Sequence, residues 1–463
     1  MLSEWVHDEF YGSDFNDSRL SARLKVVADC FFRHRSGSIY SCSDEAKKVK
    51  ATNRFFANEK VDMAGIHAPH LASTVRRATG VKFALNIQDT SGLNYDKHNS
   101  KIDIGHIGSS PNRRDSLGYW LHSGFMCDEK GVPLGISYQE IWARSEVKSG
   151  ESRNERKVRL RDVPLEEKES QRWLEGAKAC QDFRDVGVAV VQICDREADI
   201  FEFMSLCTAI GDNFLIRAKS NRSVVDIDKE TETLLFDAVS SKKIQATTSI
   251  EIIGNSEREA KTINVGIRWC DVELKVPKSN RSRETVADLE PVAITVIKVT
   301  SKSEVNGKPI EWFLLTNMRI KTQADAIRLV GWYAMRWRIE IFHKVLKSGL
   351  GIEDCRLKNL DRMSSYIMLK SIIAYKIMLM TYYFRENPNE RATSIFEDDE
   401  LRLLLAAIFP GQKKESPTVK EVILRIAAHG GFFPNGARKP GVSAIWKGWE
   451  AVSHKMEAVS AYI

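Results

Sequence analysis

The spacing of hydrophobic positions changes period along this chain and divides it into helical, strand-rich and again helical stretches. Up to about residue 77 the period is helical. Asp17 or Ser18 caps a segment with Leu20, Leu24, Val27 and Phe31 on one side and Arg19 and Arg23 on another. Ser43 opens a second helix carrying Lys47, Lys48, Lys50 and Arg54. Residues 81–89, 118–128 and 132–144 then read as strands, the last two joined by a short turn at Lys130-Gly131. A charged helical stretch over 164–184 leads into the continuous apolar run 188–194, expected of a strand buried on both faces, then a helix and a strand at 214–217. From 220 to 317 the texture is again alternating, as in 247–253, 262–276 and 292–299. Beyond Gly349 the segments 363–384, 401–409, 419–428 and 442–458 are helical. The expected fold is α/β: a mixed sheet with both faces covered (residues 78–349), interrupted by a β-rich insertion at about 220–317. Helical regions at 1–77 and 350–463 flank it.

The stretch 333–347 contains no Gly or Pro and reads as one helix. At about 100° per residue, Tyr333, Arg336, Glu340, Lys344 and Lys347 fall within a stripe roughly 80° wide, while Met335, Ile339, Phe342, Val345 and Leu346 gather opposite. Such a face is ordinarily a solvated one laced with i,i+4 ion pairs. Two strand ends bear on that reading. Val81, Phe83, Leu85 and Ile87 alternate up to Asp89, where the strand pattern gives out, and the run 188–194 delivers Asp195 at its tip. Alone, each acid suits a cap or a turn. Together with Glu340 they place three carboxylates on three elements, the minimum for two divalent cations sharing a bridging carboxylate.

Composition narrows the partner. A chain of 463 residues, 43% hydrophobic and 28% charged, is of globular type with room for two or three domains. Its net charge of +7 favours a polyanion, with nucleic acid the leading candidate. The most apolar window, 366–384, is interrupted by Lys370 and Lys376, and the first residues are acidic where a signal peptide would be basic, so a cytoplasmic protein with no membrane partner is expected. The eight cysteines show no Cys-x-x-Cys pair, which suggests neither a zinc site nor a disulfide framework. The basic N-terminal helix pair, ordinarily a solvated surface, reads beside a metal-binding core as a DNA-contacting module.

Cys194-Asp-Arg-Glu-Ala-Asp-Ile200, Arg336-Trp-Arg-Ile-Glu340 followed by Phe342-His-Lys344, Gly430-Gly-Phe432 and Trp446-Lys-Gly-Trp-Glu-Ala451 carry a resemblance to a known family. With residues 333–347, which look like a Tyr-Arg-Glu-Lys signature, they resemble bacterial DDE cut-and-paste transposases of the insertion-sequence-four family. The resemblance runs from about Asp89 to the C-terminus and fades in the first seventy or so residues. It implies a ribonuclease-H-like core in which Asp89, Asp195 and Glu340 are catalytic and hold two Mg²⁺ ions, with Mn²⁺ able to substitute. It further implies double-stranded DNA as partner, both transposon ends and target, read at the ends by the N-terminal region. A homodimer formed through the last helices and a hairpin intermediate also follow from it. Carried over by motif, Arg336, Lys344 and Lys347 hold phosphates, Tyr333 and Arg217 lie near a displaced base, and Trp337 joins Trp312 in its pocket. Trp312 is otherwise a core residue, and the stripe Trp446, Trp449, Val452 and Met456 is otherwise buried against its own domain. Arg196, Glu197 and Asp199 match the motif in either a structural or a functional capacity. A metal-dependent nuclease or resolvase of the same fold would have no need of the Tyr, Arg and Lys stripe. A non-catalytic regulator that binds ends without cutting would have no chemical reason to keep all three acids.

Overall fold

The structure, a computed structural model, describes residues 3–34, 38–42, 45–98, 100–107, 116–144, 168–252, 261–277, 289–305, 308–434 and 439–460. Among them twelve strands form one sheet: β1 (Phe83–Asn94), β2 (Gly105–His106), β3 (Leu117–Asp128), β4 (Pro133–Trp142), β5 (Ala189–Cys194), β6 (Asn213–Arg217), β7 (Ser223–Asp226), β8 (Thr231–Leu234), β9 (Ala246–Ile252), β10 (Lys261–Leu274), β11 (Val292–Val305) and β12 (Lys308–Thr316). Their order is β2-β3-β1-β5-β6-β12-β11-β10-β7-β8, with β4 beside β3 and β9 beside β10. The pairs β1–β5 and β5–β6 are parallel, and β1–β3 and β3–β4 antiparallel. This is the ribonuclease-H-like mixed sheet that strand-like runs followed by an alternating helix and strand foretell.

Two findings depart from the expected boundaries. Strand β1 does not stop at Asp89 but runs on to Asn94, because β3 pairs with it as far as Asn94↔Gly118. Asp89 therefore sits inside a strand. The stretch 220–317 does interrupt the sequence between β6 and the helix bearing Glu340, yet in space it extends the same sheet, since β12 pairs with β6 through Leu315↔Ile216. A helix at Leu235–Ser240, absent from the sequence reading, closes over it.

Helices cover both faces. On one, Phe203, Met204, Phe214, Leu235 and Val296 are among the residues that close a core beneath helices Phe201–Ala209 and Leu235–Ser240. On the other, helix Leu360–Glu386 packs against β4 and against helices Ser18–Arg33, Met63–Ala78 and Val442–Ser460. That helix is long and apolar enough to cross a membrane by length and composition, but 89% of its apolar window is buried within the protein.

The first region is helical, as its period indicated: Glu4–Glu9, Ser18–Arg33, Ala46–Phe56 and Met63–Ala78. Asp17 caps Ser18–Arg33, accepting from the Arg19 amide at 3.0 Å. Ser43, expected to open the second helix, lies outside the described residues. The C-terminal stripe turns inward. Trp446, Trp449, Val452 and Met456 are all buried, and the Trp449 indole donates to the Phe32 carbonyl at 3.1 Å.

Candidate active site

The last parallel pair between β1 and β5 is Ile87↔Ile193. Asp89 and Asp195 each lie two residues beyond it, so by the two-residue alternation of a strand both fall on one face at one level of the sheet. Beyond that pair β1 continues along β3 while β5 ends, and the sheet opens between them. Asp195 is the first residue of the opening: its Oδ1 accepts from the Glu197 amide at 2.8 Å and caps the short 3-10 turn Arg196–Ala198.

Glu340 arrives from above, and the element that carries it is not one continuous helix. Helix Gln323–Ala334 ends at a tight turn whose Met335 and Arg336 amides reach back only three residues, to the Trp332 and Tyr333 carbonyls, at 3.0 Å each. A second helix, Trp337–Lys344, follows and closes in a π-helical turn at Val345–Gly349. Tyr333 thus belongs to the preceding helix and turns inward, buried beneath the site. Phe342 anchors the second helix on β3, its ring 5.1 Å from that of Phe125, and the His343 ring nitrogen lies 3.4 Å from the Ser123 hydroxyl.

Arg336 joins the acids. Its Nη1 donates to Asp89 Oδ2 at 3.3 Å and its Nη2 to Glu340 Oε1 at 2.5 Å, with the side chain only 14% exposed. Burial pushes the Asp89 carboxyl up to about 7, with the charges of Asp195 and Glu340 adding to it and Arg336 opposing. Burial works against the Arg336 charge, yet Tyr333, Asp89 and Glu340 hold its pKa above the usual value. Arg217, at the end of β6, lies in the same field with Tyr333 and Asp195 and donates to the Glu311 carbonyl at 3.2 Å. Trp312 lies behind Tyr333. Trp337 has the Arg336 guanidinium 5.6 Å from its ring.

The structure therefore brings together Asp89, Asp195, Glu340, Arg336, Tyr333 and Arg217, with Trp312 and Trp337 bordering them. Lys344 and Lys347 are set one and two turns along from Glu340, the first exposed and the second half-buried. Three carboxylates form the hard-oxygen donor set that Mg²⁺ prefers. Among the described residues, however, no three Asp, Glu, His or Cys side chains are gathered closely enough to ligate an ion. A cation, the guanidinium, already lies between two of the acids.

A polar chain under the site escaped the sequence reading. The Gln88 amide nitrogen donates to Gln192 Oε1 at 2.8 Å, and Gln192 in turn donates to Asp212 Oδ2 at 2.8 Å, which pairs with Arg184 through its other oxygen at 3.0 Å. Because Gln88 spends its nitrogen on Gln192, its oxygen must accept from His122 Nε2 at 3.0 Å. His122 Nδ1 is then left to accept from the Thr90 hydroxyl at 2.8 Å. The signal was in the sequence: Asn86, Gln88 and Thr90 alternate in β1, and Gln192 stands within the apolar run of β5.

Residues 2–61 match the family model for transposase DNA-binding, and residues 211–377 match the family model of the transposase DDE domain. The second match contains Glu340 and the cations around it; Asp89 and Asp195 precede it. The chain thus carries a DNA-binding region and a DDE domain of transposase type. One solved structure that the chain matches, at 11% identity and a TM-score of 0.33, is described as a cryo-EM structure of the piggyBac transposase synaptic complex with hairpin DNA. That match covers 74% of this chain and 55% of the other.

Proposed function

We propose that this chain is a cut-and-paste DNA transposase of the insertion-sequence-four type, and that Asp89, Asp195 and Glu340 are its catalytic carboxylates. The observation that supports this most is the arrival of Asp89 and Asp195 side by side where β1 and β5 part, with Glu340 tied to Asp89 through Arg336. The three acids would hold divalent metal, Mg²⁺ or Mn²⁺, which when bound supplies Lewis-acid activation of water or of a DNA 3′-hydroxyl for attack on a phosphodiester. Lys344, exposed one turn from Glu340, and Lys347 seat the DNA backbone beside the acids. The Ser18–Arg33 and Ala46–Phe56 helices, within the match to a DNA-binding family, bind the element's ends. One set of acids per end must break both strands, which a hairpin on the transposon end accomplishes, and pairing of two ends calls for two copies of the chain.

The test is to incubate the protein and Mg²⁺ with the DNA ends that flank its own coding sequence and to map the breaks. Paired cleavage followed by strand transfer is expected. Cleavage without transfer would indicate a nuclease, and binding without any cleavage a regulator. Glu340→Gln, Asp89→Asn and Asp195→Asn are expected to bind ends nearly as well as the native protein and to cut none. Cutting near the native rate by any of them removes that residue from the catalytic set.

A further inference from the structure

Both carboxylate oxygens of Asp89 are committed: Oδ1 accepts from the Thr90 amide at 2.8 Å and Oδ2 from Arg336 at 3.3 Å. The same guanidinium holds Glu340 Oε1 at 2.5 Å. A planar fork that spans two carboxylates from a strand and a helix takes up oxygens that a divalent cation held by those two acids would need. Metal and guanidinium therefore compete for the same oxygens.

We propose that Arg336 is an internal counter-ion of the acid site, which a divalent cation must displace. This rests on the metal-binding reading given above. Without a cation, Asp89, Asp195 and Glu340 would repel one another, since Asp195 and Glu340 both act on Asp89. Arg336 neutralises part of that charge in the protein alone and keeps Glu340 turned toward the strand. The guanidinium carbon lies 5.6 Å from the Trp337 ring while it bridges the acids, so a displaced side chain would keep an aromatic face within reach. Arg336 therefore lowers the metal affinity of the protein by itself.

The experiment is a titration of the full chain with Mn²⁺, free ion being read by electron paramagnetic resonance, without DNA or turnover. Arg336→Gln is expected to bind Mn²⁺ about tenfold more tightly than the native protein, within the 5–150-fold span typical of coupling between two ligands. Arg336→Lys keeps a charge but not the fork and is expected to fall between the two. Glu340→Gln, Asp89→Asn and Asp195→Asn serve as controls and are expected to weaken binding. If the controls weaken binding while Arg336→Gln leaves it unchanged or weaker, the counter-ion role is overturned and the metal site stands. Controls without effect would overturn the metal site itself, and the proposal with it. Should Arg336→Gln fail to fold by circular dichroism, Arg336→Lys decides: tighter Mn²⁺ binding than native supports the proposal, and unchanged or weaker binding overturns it.

Discussion

Trp312 on β12 meets Tyr333 edge-on, their ring centroids 5.3 Å apart at 65°, and both rings are buried. The contact links the strand end of the β-rich stretch to the helix that leads into the Arg336 turn. With Trp312 only 7% exposed, the indole works as core packing in this conformation. Trp312→Ala is then expected to cost about 3–5 kcal/mol of stability and to depress nicking together with it, since Tyr333 faces Arg217 and Arg336. Denaturant melts run beside a nicking assay check this. A variant as stable as native that nicks normally but forms no hairpin would instead place Trp312 in the pocket of a displaced base.

The cations divide by where they point. Lys344 is exposed and Lys347 half-buried, whereas Arg336 is turned inward onto two carboxylates. Lys344→Ala and Lys347→Ala are each expected to lower the salt dependence of DNA binding by about one counterion, and Arg336→Ala to leave that slope nearly unchanged. Binding isotherms at several salt concentrations measure it. A loss of slope for Arg336→Ala equal to that of the lysines would mean that DNA draws the guanidinium out.

Period and polarity made the architecture readable. The apolar run of β5 announced a strand buried on both faces with Asp195 at its tip, and the structure pairs that strand in parallel with β1 and β6. Asp89 was visible as an acid near a strand end, but not as a residue inside a longer strand, because its continuation depends on pairing with β3 rather than on local pattern. The helical stripe at 333–347 was read as one continuous helix, where the structure has two helices joined by a turn. A turn closed by i→i+3 hydrogen bonds leaves no mark in composition, and it sends Tyr333 inward and Arg336 between the acids. The bond from Arg336 to Asp89 and the Thr90-His122-Gln88-Gln192 chain were hidden for a common reason: hydrogen bonds between elements distant in sequence have no periodic signature.

His343 follows Phe342 in the motif that carries the family resemblance, yet it is buried against β3. Burial, with Lys347 nearby, pushes its pKa down to about 3 from an ordinary 6.5. A folded value below the unfolded one means that the unfolded chain takes the proton first. The contribution of neutral His343 is therefore full above pH 6.5 and is lost as the pH falls toward 3. His122, fully buried, shifts in the same direction and adds to the loss. His343→Gln is expected to remove about one proton, roughly 1.4 kcal/mol per pH unit, from the slope of stability between pH 6 and 4. Equilibrium melts across that range give the slope directly, and an unchanged slope would place His343 in contact with solvent.

Gly430 and Gly448, both in segments that carry the family resemblance, let two C-terminal helices touch backbone to backbone. A Cβ added to Gly448 would stand 1.9 Å from the Ile426 carbonyl oxygen, and one added to Gly430 would stand 2.0 Å from that of Ala444. Neither obstacle is a side chain that can swing away. Helices Val419–His429 and Val442–Ser460 would have to move apart, taking Trp446, Trp449 and Val452 with them, and the Trp449 bond to the Phe32 carbonyl would loosen. Gly448→Ala is expected to destabilise the chain by about 1–3 kcal/mol, the usual cost of overpacking, and to raise amide exchange in helix Ser18–Arg33 as well as in the C-terminal pair. Exchange confined to the C-terminal helices would show that the Phe32–Trp449 contact transmits nothing. If stability and exchange are both unchanged, the helices are not packed on each other in solution, and the stripe Trp446, Trp449, Val452 and Met456 is open to a second copy of the chain.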